Sequence, residues 1–597
     1  MRRGKDVKRF SSLGVMARCG ASLLALTLPA ILAQGTAALA QSNRLALVAP
    51  ISDAALEHPE PGDWLMRRGN YAGWGYSKLD RIRVDNVAEL RLAWAWTMEP
   101  GYQQEAPLAH DGILFLGNPR NVVQALDGRT GELLWQYRRQ LPPVEGRYHQ
   151  DLFDRQRASI ALYEDKVFLT TADAHVIALD SRTGQVAWDT AVADYHQGYT
   201  FTGGPLVAKG KIIAGISGCT MPTTAGGCFI VALDAHNGRE LWRTHTIAQP
   251  GSPGDETWNG LPLARRNGGS AWNTGSYDPP SNLVFWGVDG PTPHSQIARG
   301  TGNGAVLYTE STLALDADTG TIKWYHQFLP DDNWNLDHTF EQVLANVAVN
   351  GAPREALLTL GKPGILWALD RRSGAFLWAR ETTYNNVEHV DPATGKINVN
   401  TSLIPQQLEQ TVFVCPSMYG GKLWMASAYD PVAKTLFLPL NNLCMDYKAV
   451  AQDALIGEDY GRGRMQFRFS PDSNGKVGRV EAVDLASQHT VWTHERRPFW
   501  SSSLLVTAGG LVIGGDANRR VVALEARSGR VVWERALSNQ PGGFPMTYMA
   551  GGKQFLAIPA GYSLIGNRVT SSLTPEIPVP ARGSTLWVFA LPDAKQQ

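Results

Sequence analysis

The run ALDGRTGELLW, residues 125–135, returns six more times along the chain. The copies are ALDSRTGQVAW (178–188), ALDAHNGRELW (232–242), ALDADTGTIKW (314–324), ALDRRSGAFLW (368–378), AVDLASQHTVW (482–492) and ALEARSGRVVW (523–533). Each reads as a strand ending in an acidic residue, a turn built on Thr or Ser and Gly, and a second strand ending in Trp. That is a β-hairpin whose glycine supplies the positive φ of the turn. Successive copies start 53, 54, 82, 54, 114 and 41 residues apart, and most of these spacings are close to the length of a four-stranded propeller blade. The 114-residue gap is long enough for two blades, and KLWMASAYDPVAKTLFLPLNN (422–442) inside it reads as an eighth, irregular one. The expected fold is therefore all-β: an eight-bladed β-propeller with tryptophan-docking repeats. Each Trp would lie between neighbouring blades and bury ~150–250 Å². LRLAWAWTM (90–98) and the C-terminal STLWVFALP read as strands that share a blade and fasten the two ends of the ring.

The chain has 597 residues, 44% hydrophobic and 18% charged, with 55 basic and 55 acidic side chains. Zero net charge argues against a nucleic-acid partner or a generally membrane-adhering surface. Arg2, Arg3, Lys5, Lys8 and Arg9 precede the apolar run ASLLALTLPAILA and then TAALA before Gln41, the layout of a secretory signal over residues 1–40. Residues 41–597 are expected to form one propeller domain, exported to the periplasm, with no membrane span in the mature chain. Insertions near 249–275, 293–310 and 381–420 are polar and rich in Gly and Pro, and become loops on a propeller face. Cys219, Cys228, Cys415 and Cys444 remain after export and allow three pairings, of which the local one is simplest. No CxxCH is present, so the chain carries no c-type haem attachment site.

The pieces between the repeats resemble the quinoprotein alcohol dehydrogenases, which hold pyrroloquinoline quinone (PQQ) and a metal ion on the axis of an eight-bladed propeller. The likeness runs from GDWLMRRGNYAGWGYSKLDRIRVDNVAEL to GGFPMTYMAGGKQFLAIPAG (542–561). GGSAW (268–272) is similar to the segment whose tryptophan forms the floor beneath the quinone, which assigns that role to Trp272. GKPGILWALD (361–370) matches the segment whose cation reaches the quinone oxygens, here Lys362. PFWSSS (498–503) makes Trp500 a wall residue. YQQEAPLAHDGILF points Glu105 at a quinone carboxylate, and RQRASIALY offers Arg157, one position out of register, for the same purpose. Thr170 and Thr171 would add hydroxyl contacts. CPSMYGG and NNLCMD resemble a disulfide-bridged segment, which implies Cys415–Cys444. SGCTMPTTAGGC (217–228) resembles a short disulfide loop near the cofactor, as in the branch similar to polyvinyl-alcohol dehydrogenases. A ring of adjacent cysteines found in many members is absent.

PDDNWNLDHTFE (330–341) matches the segment that delivers the catalytic aspartate. Its commonest position holds Asn335, and an amide cannot accept a proton. Asp337, two residues on, stands where lanthanide-using members place a second carboxylate, and is the expected base, metal ligand or both. Asp331 and Asp332 read as turn caps. The metal positions that are commonly Glu and Asn correspond to Thr220 and Gly290, the latter beside Asp289. The resemblance thus implies PQQ with Ca²⁺ or a lanthanide, held by Asp337, Asn335 and Thr220. It implies oxidation of a small or polymeric alcohol to an aldehyde or ketone, with electrons passed to a soluble cytochrome c or another external acceptor. The competing reading is a non-catalytic propeller scaffold for protein binding in the periplasm or in outer-membrane assembly.

Overall fold

In the first repeat, the Asp127 carboxylate accepts from the backbone N–H groups of Arg129 and Thr130, each at 2.9 Å, while Gly131 N–H donates back to the Asp127 carbonyl at 2.8 Å. The same clamp recurs at Asp180, Asp234, Asp316 and Asp370. It fixes the turn, and the turn fixes the hairpin register. The glycine meets two demands at once. Gly184 has φ 70°, and a Cβ there would lie 2.5 Å from the Trp135 ring of the preceding copy. Gly131, Gly238, Gly320, Gly374 and Gly529 face Trp94, Trp188, Trp242, Trp324 and Trp492 in the same way, at 2.5–2.6 Å. Each indole N–H also donates to a backbone carbonyl of the neighbouring turn: Trp135 to Ser181 at 2.9 Å, Trp188 to Ala235 at 3.0 Å and Trp492 to Ala526 at 2.9 Å.

These contacts order the sheets into a ring. The computed structural model describes residues 45–46, 48–143, 159–224, 226–349, 351–451 and 463–593; the expected signal segment and Arg157 lie outside them. Among the described residues there are seven four-stranded sheets and one five-stranded sheet, together with smaller two- and three-stranded pieces. In chain order the blades span 108–138, 160–191, 206–245, 276–327, 342–381, 428–496 and 505–536. The eighth is built from Met546–Ala550, Lys553–Ala560 and Ser584–Ala590, with Arg91–Met98 as its outer strand. Trp378 of blade 5 packs on Leu436, Leu438 and Val483 of blade 6, and Trp533 of blade 7 meets Phe589 of blade 8 edge-on at 5.3 Å. Trp94 of blade 8 then lies on the turn of blade 1, and the ring is closed by strands from the two ends of the chain, as their sequences suggest.

Residues 422–442 are not a blade of their own. Ala428–Asp430 and Thr435–Asn441 are the two inner strands of blade 6, whose outer strands are the sixth repeat. The eighth blade is the one that joins the termini. The excess length of the 114-residue gap goes instead into the hairpin of Glu388–Val390 with Ile397–Val399 and a three-stranded sheet of Thr411–Val414, Leu443–Lys448 and Arg464–Phe469. Both local disulfides form, Cys219–Cys228 and Cys415–Cys444.

In an up-and-down blade the connections alternate between faces. The Asp–Gly turns open on one face. The links from second to third strand, and from each blade to the next, open on the other. All the insertions lie on that second face, joined by the helix Leu564–Leu573.

The sixth repeat breaks the pattern. Gln488 takes the glycine position at φ 62°, and the Trp378 indole N–H that would meet this turn has no hydrogen-bond partner. Gly184→Ala is expected to lower the melting temperature by the equivalent of roughly 2–4 kcal/mol, from left-handed backbone strain and overpacking against Trp135. Gln488→Gly, which relieves the same strain, is expected not to lower it. Thermal unfolding followed by circular dichroism checks both, and a neutral Gly184→Ala would contradict the role given to the turn glycine.

Candidate active site

Apart from Thr170, the last residue of the strand Lys166–Thr170, whose hydroxyl donates to the Gly203 carbonyl at 2.6 Å, every site residue expected from the sequence that the structure describes lies on the insertion-bearing face, because each sits in a second-to-third-strand link or a link between blades. Thr171, Thr220 and Lys362 occupy links of the first kind; Glu105, Trp272, Asn335, Asp337 and Trp500 occupy the second. Backbone hydrogen bonds lace these loops together. Gly268 N–H donates to Cys219 at 2.6 Å, Gly269 to Gly290 at 3.0 Å, and Asp289 to Ser270 at 3.0 Å. Lys362 N–H donates to Asp337 at 2.9 Å, and Gly421 to Lys362 at 2.9 Å. Trp272 therefore belongs to the same layer as Asp289. Its ring meets Phe340 edge-on at 5.5 Å and packs against a buried apolar cluster that includes Trp334, Leu336, Met418 and Tyr419.

The centre of this layer is acidic. Asp289, Glu310 and Asp337 each offer an oxygen, and the three oxygens lie within 4.8 Å of one another. Asp289 was noted in the sequence only as the neighbour of Gly290, and Glu310 was not singled out at all. Glu310 directly precedes the strand Ser311–Asp316 that carries the fourth repeat, so its place at the inner face follows from the blade, but no motif marks it. It is wholly buried, and its backbone is held at φ 54°, a conformation that costs a non-glycine residue roughly 1–2 kcal/mol. Such strain is concentrated at functional sites. Glu310 Oε2 accepts from His338 N–H at 2.9 Å, while Oε1 has no hydrogen-bond partner among the described residues, and neither does Asp337 Oδ1. Gly290 leaves the space beside Glu310: a Cβ there would come 2.7 Å from Oε1 and 3.2 Å from an Asp332 oxygen.

Burial pushes the Glu310 carboxyl well above the usual range, with Asp332, Asp337 and Asp289 adding to the effect. The cation at hand is Lys362, whose ammonium lies 2.7 Å from Asp337 Oδ2 and also donates to the Asn335 backbone carbonyl at 2.9 Å and the Asn335 side-chain oxygen at 3.1 Å. Three convergent carboxylates, two of which, Glu310 and Asp337, keep an unpartnered oxygen, form a hard donor set suited to calcium or a lanthanide, and a bound cation would reverse the protonation that burial otherwise favours.

The other expected residues fall out unevenly. Asn335 is at the site, but its amide oxygen is occupied by Lys362 and its amide nitrogen approaches Met418 Sδ at 3.9 Å. Thr220 follows Cys219 in the disulfide loop that pairs with Gly268. Glu105 is wholly buried, with Oε1 free of any protein partner and its carboxyl pushed well up by burial, which suits a group that donates a proton to a ligand oxygen. Thr171 donates its hydroxyl to Asp173 at 2.6 Å. The Trp500 indole is buried between blades 6 and 7 against Phe437, Val480 and Val512, and donates to Ser502 of its own loop at 2.9 Å. Asp332 caps its turn by accepting from Trp334 and Leu336, each at 2.8 Å, while Asp331 pairs with the buried Arg299. His338 and Glu341 are both buried: His338 stacks on Phe328 and Glu341 pairs with Lys422 at 2.7 Å.

Residues 64–389 and 472–556 match the family described as "PQQ: Glucose/ethanol/alcohol dehydrogenase, beta-propeller domain". The chain is similar to the quinoprotein alcohol dehydrogenase PedH of Pseudomonas putida, 31% identical over 612 residues, with 96% of this chain and 97% of that protein covered. It is equally similar to the quinohemoprotein alcohol dehydrogenase ADH IIB of Pseudomonas putida, 31% identical over 572 residues that cover 92% of this chain and 81% of that one. The solved structure of a europium-containing methanol dehydrogenase matches with a TM-score of 0.80 at 27% identity, over 90% of this chain and 99% of that chain.

Glu388, in the hairpin on the same face, provides a test of the burial argument. It is wholly buried, and both its carboxylate oxygens lack hydrogen-bond partners. Burial, then Asp332 and Glu381, push it well above the usual range. It therefore stays neutral in the folded protein at pH values where the unfolded chain has ionised it, so its contribution is fully present below about pH 4.3 and is lost as pH rises. Glu388→Gln is expected to match the parent's melting temperature near pH 4 and to exceed it by a margin that widens towards pH 8. A margin independent of pH would contradict the assignment.

Proposed function

The chain belongs to the PQQ-dependent alcohol dehydrogenase family, oxidoreductases acting on CH–OH groups, and on that premise we propose how its own residues hold the cofactors and handle the substrate. The observation that carries the reading is the convergence of Asp289, Glu310 and Asp337 in the loop layer that contains Trp272 and Lys362. Members of the family work with PQQ and a calcium or lanthanide ion. In this chain Asp289, Glu310 and Asp337 would hold the ion, Trp272 would support the flat face of the quinone, Lys362 would meet its oxygens and Glu105 a carboxylate. When bound, the quinone supplies a two-electron acceptor and the metal an electrophile beside it.

Asp337 is the base. Lys362 engages Oδ2 and fixes the carboxylate, which leaves Oδ1 as the oxygen that takes the proton of the substrate hydroxyl. The apolar side chains of Trp334, Leu336, Met418 and Tyr419 exclude water around it, so charge held by Lys362 counts for more than it would in solution. The product is an aldehyde or ketone. The sequence carries no haem attachment motif, so electrons leave to a separate acceptor such as a soluble cytochrome c, and the N-terminal 40 residues direct export to the periplasm.

Apoprotein supplied with PQQ and either Ca²⁺ or a light lanthanide is expected to reduce a dye acceptor with alcohols. Asp337→Ala is expected to lower kcat by about 10²–10⁴-fold, the range for loss of a general base. Glu310→Gln is expected to raise the metal concentration required for half-maximal activation, with kcat at saturating metal less affected. Undiminished turnover in Asp337→Ala, or no activity with either metal, would overturn the reading.

A further inference from the structure

Residues 64–77 line the inside of the ring. Successive inner strands donate to this segment: Tyr277 of blade 4 to the Tyr71 carbonyl at 3.2 Å, Leu344 of blade 5 to Ala72 at 2.9 Å, Tyr429 of blade 6 to Trp74 at 2.7 Å and Val506 of blade 7 to Gly75 at 2.9 Å. Two adjacent arginines from this segment, Arg67 and Arg68, enter the hub, and each is only 9% exposed. Arg67 Nη1 donates to the Thr274 hydroxyl at 3.0 Å, two residues past Trp272, and its guanidinium lies 4.4 Å from the centre of the Phe544 ring. Arg68 Nη2 donates to the Ser427 carbonyl at 3.2 Å.

Their charge is not balanced by the protein. Among the described residues no carboxylate lies within 4.0 Å of either guanidinium. The acid whose charge reaches both, Glu341, is already committed to Lys422 at 2.7 Å and to Ser427 N–H at 2.8 Å. Nε and Nη2 of Arg67, and Nε and Nη1 of Arg68, are buried with no hydrogen-bond partner among the described residues. Native proteins rarely leave so many buried donors without acceptors. Both arginines line one cavity of about 40 Å³, otherwise walled mainly by apolar residues such as Leu65, Ile160 and Leu206.

We propose that Arg67 and Arg68 hold a monovalent anion of halide size in this cavity. None of its residues is among those given to the quinone or the metal. A space near 40 Å³ holds a water-sized sphere with room to spare and takes a small anion such as chloride or bromide. The anion accepts from the guanidinium donors that the protein leaves unmatched and offsets one of two buried positive charges, which a neutral water cannot do.

Crystals of the full chain soaked in sodium bromide test the site without any substitution. The expected result is an anomalous peak in contact with both guanidinium groups. In solution, the melting temperature at fixed ionic strength and pH 7 is expected to rise saturably as chloride or bromide replaces gluconate. The halide-dependent part of the rise is expected to vanish in Arg67→Gln. Bromide absent from the cavity, or present only in the soak while chloride and gluconate give the same melting temperature, would overturn the proposal. Should Arg67→Gln fail to fold, the bromide map and the halide titration of the parent chain decide the matter.

Discussion

The contact between the tryptophan of one blade and the turn of the next governs the rest of the molecule. Six of the eight indoles, those of Trp94, Trp135, Trp188, Trp242, Trp324 and Trp492, find both a flat seat on a turn glycine and a carbonyl for the N–H, and a Cβ at that glycine would fill the seat. Repeated around the circle, this contact ties sheets that share no strand, until Arg91–Met98 completes the blade begun by the C-terminal strands. Closure also sorts the loops. The turns that seat the indoles occupy one face, so everything inserted into the chain without disturbing the ring falls on the other.

That sorting puts charges where isolated loops could not hold them. Asp289 and Glu310 stand at the two ends of one connection, the second-to-third-strand link of blade 4, and Asp337 comes from the link between blades 4 and 5. The ring holds them together against their repulsion, with Lys362 as partner for one and the Glu310 backbone kept in a conformation it would otherwise avoid. A site of this kind is poised for a cation: the oxygens are already in place, and binding relieves an electrostatic cost that folding has imposed.

Much of this was legible in the sequence because it rests on local, repeated chemistry. The seven copies of the hairpin carry the blade, the terminal strands announce the closure, and the short separations of the cysteines agree with the disulfides formed. Trp272, Lys362 and Asp337 stand in segments distinctive enough to be read directly, and the structure brings their loops together. What escaped was set by tertiary context. Glu310 precedes an ordinary repeat strand, and Asp289 looks like the end of another; only the closed ring brings them to Asp337. The 422–442 stretch was misassigned because its partner strands lie more than thirty residues further on, beyond an inserted three-stranded sheet. No motif singles out Arg67 and Arg68, and their burial follows from a segment that crosses the inner edges of four blades in turn.

The central claim is that the loops of one face build a single metal and quinone centre around three carboxylates. The most direct measurement is a crystal structure of the chain loaded with PQQ and a lanthanide, with data collected at the metal's absorption edge. The account predicts one anomalous peak on the ring axis, bonded at about 2.3–2.6 Å to oxygens of Asp289, Glu310 and Asp337, with the quinone lying on Trp272. A peak elsewhere on the molecule, or a quinone bound away from these side chains, would contradict it.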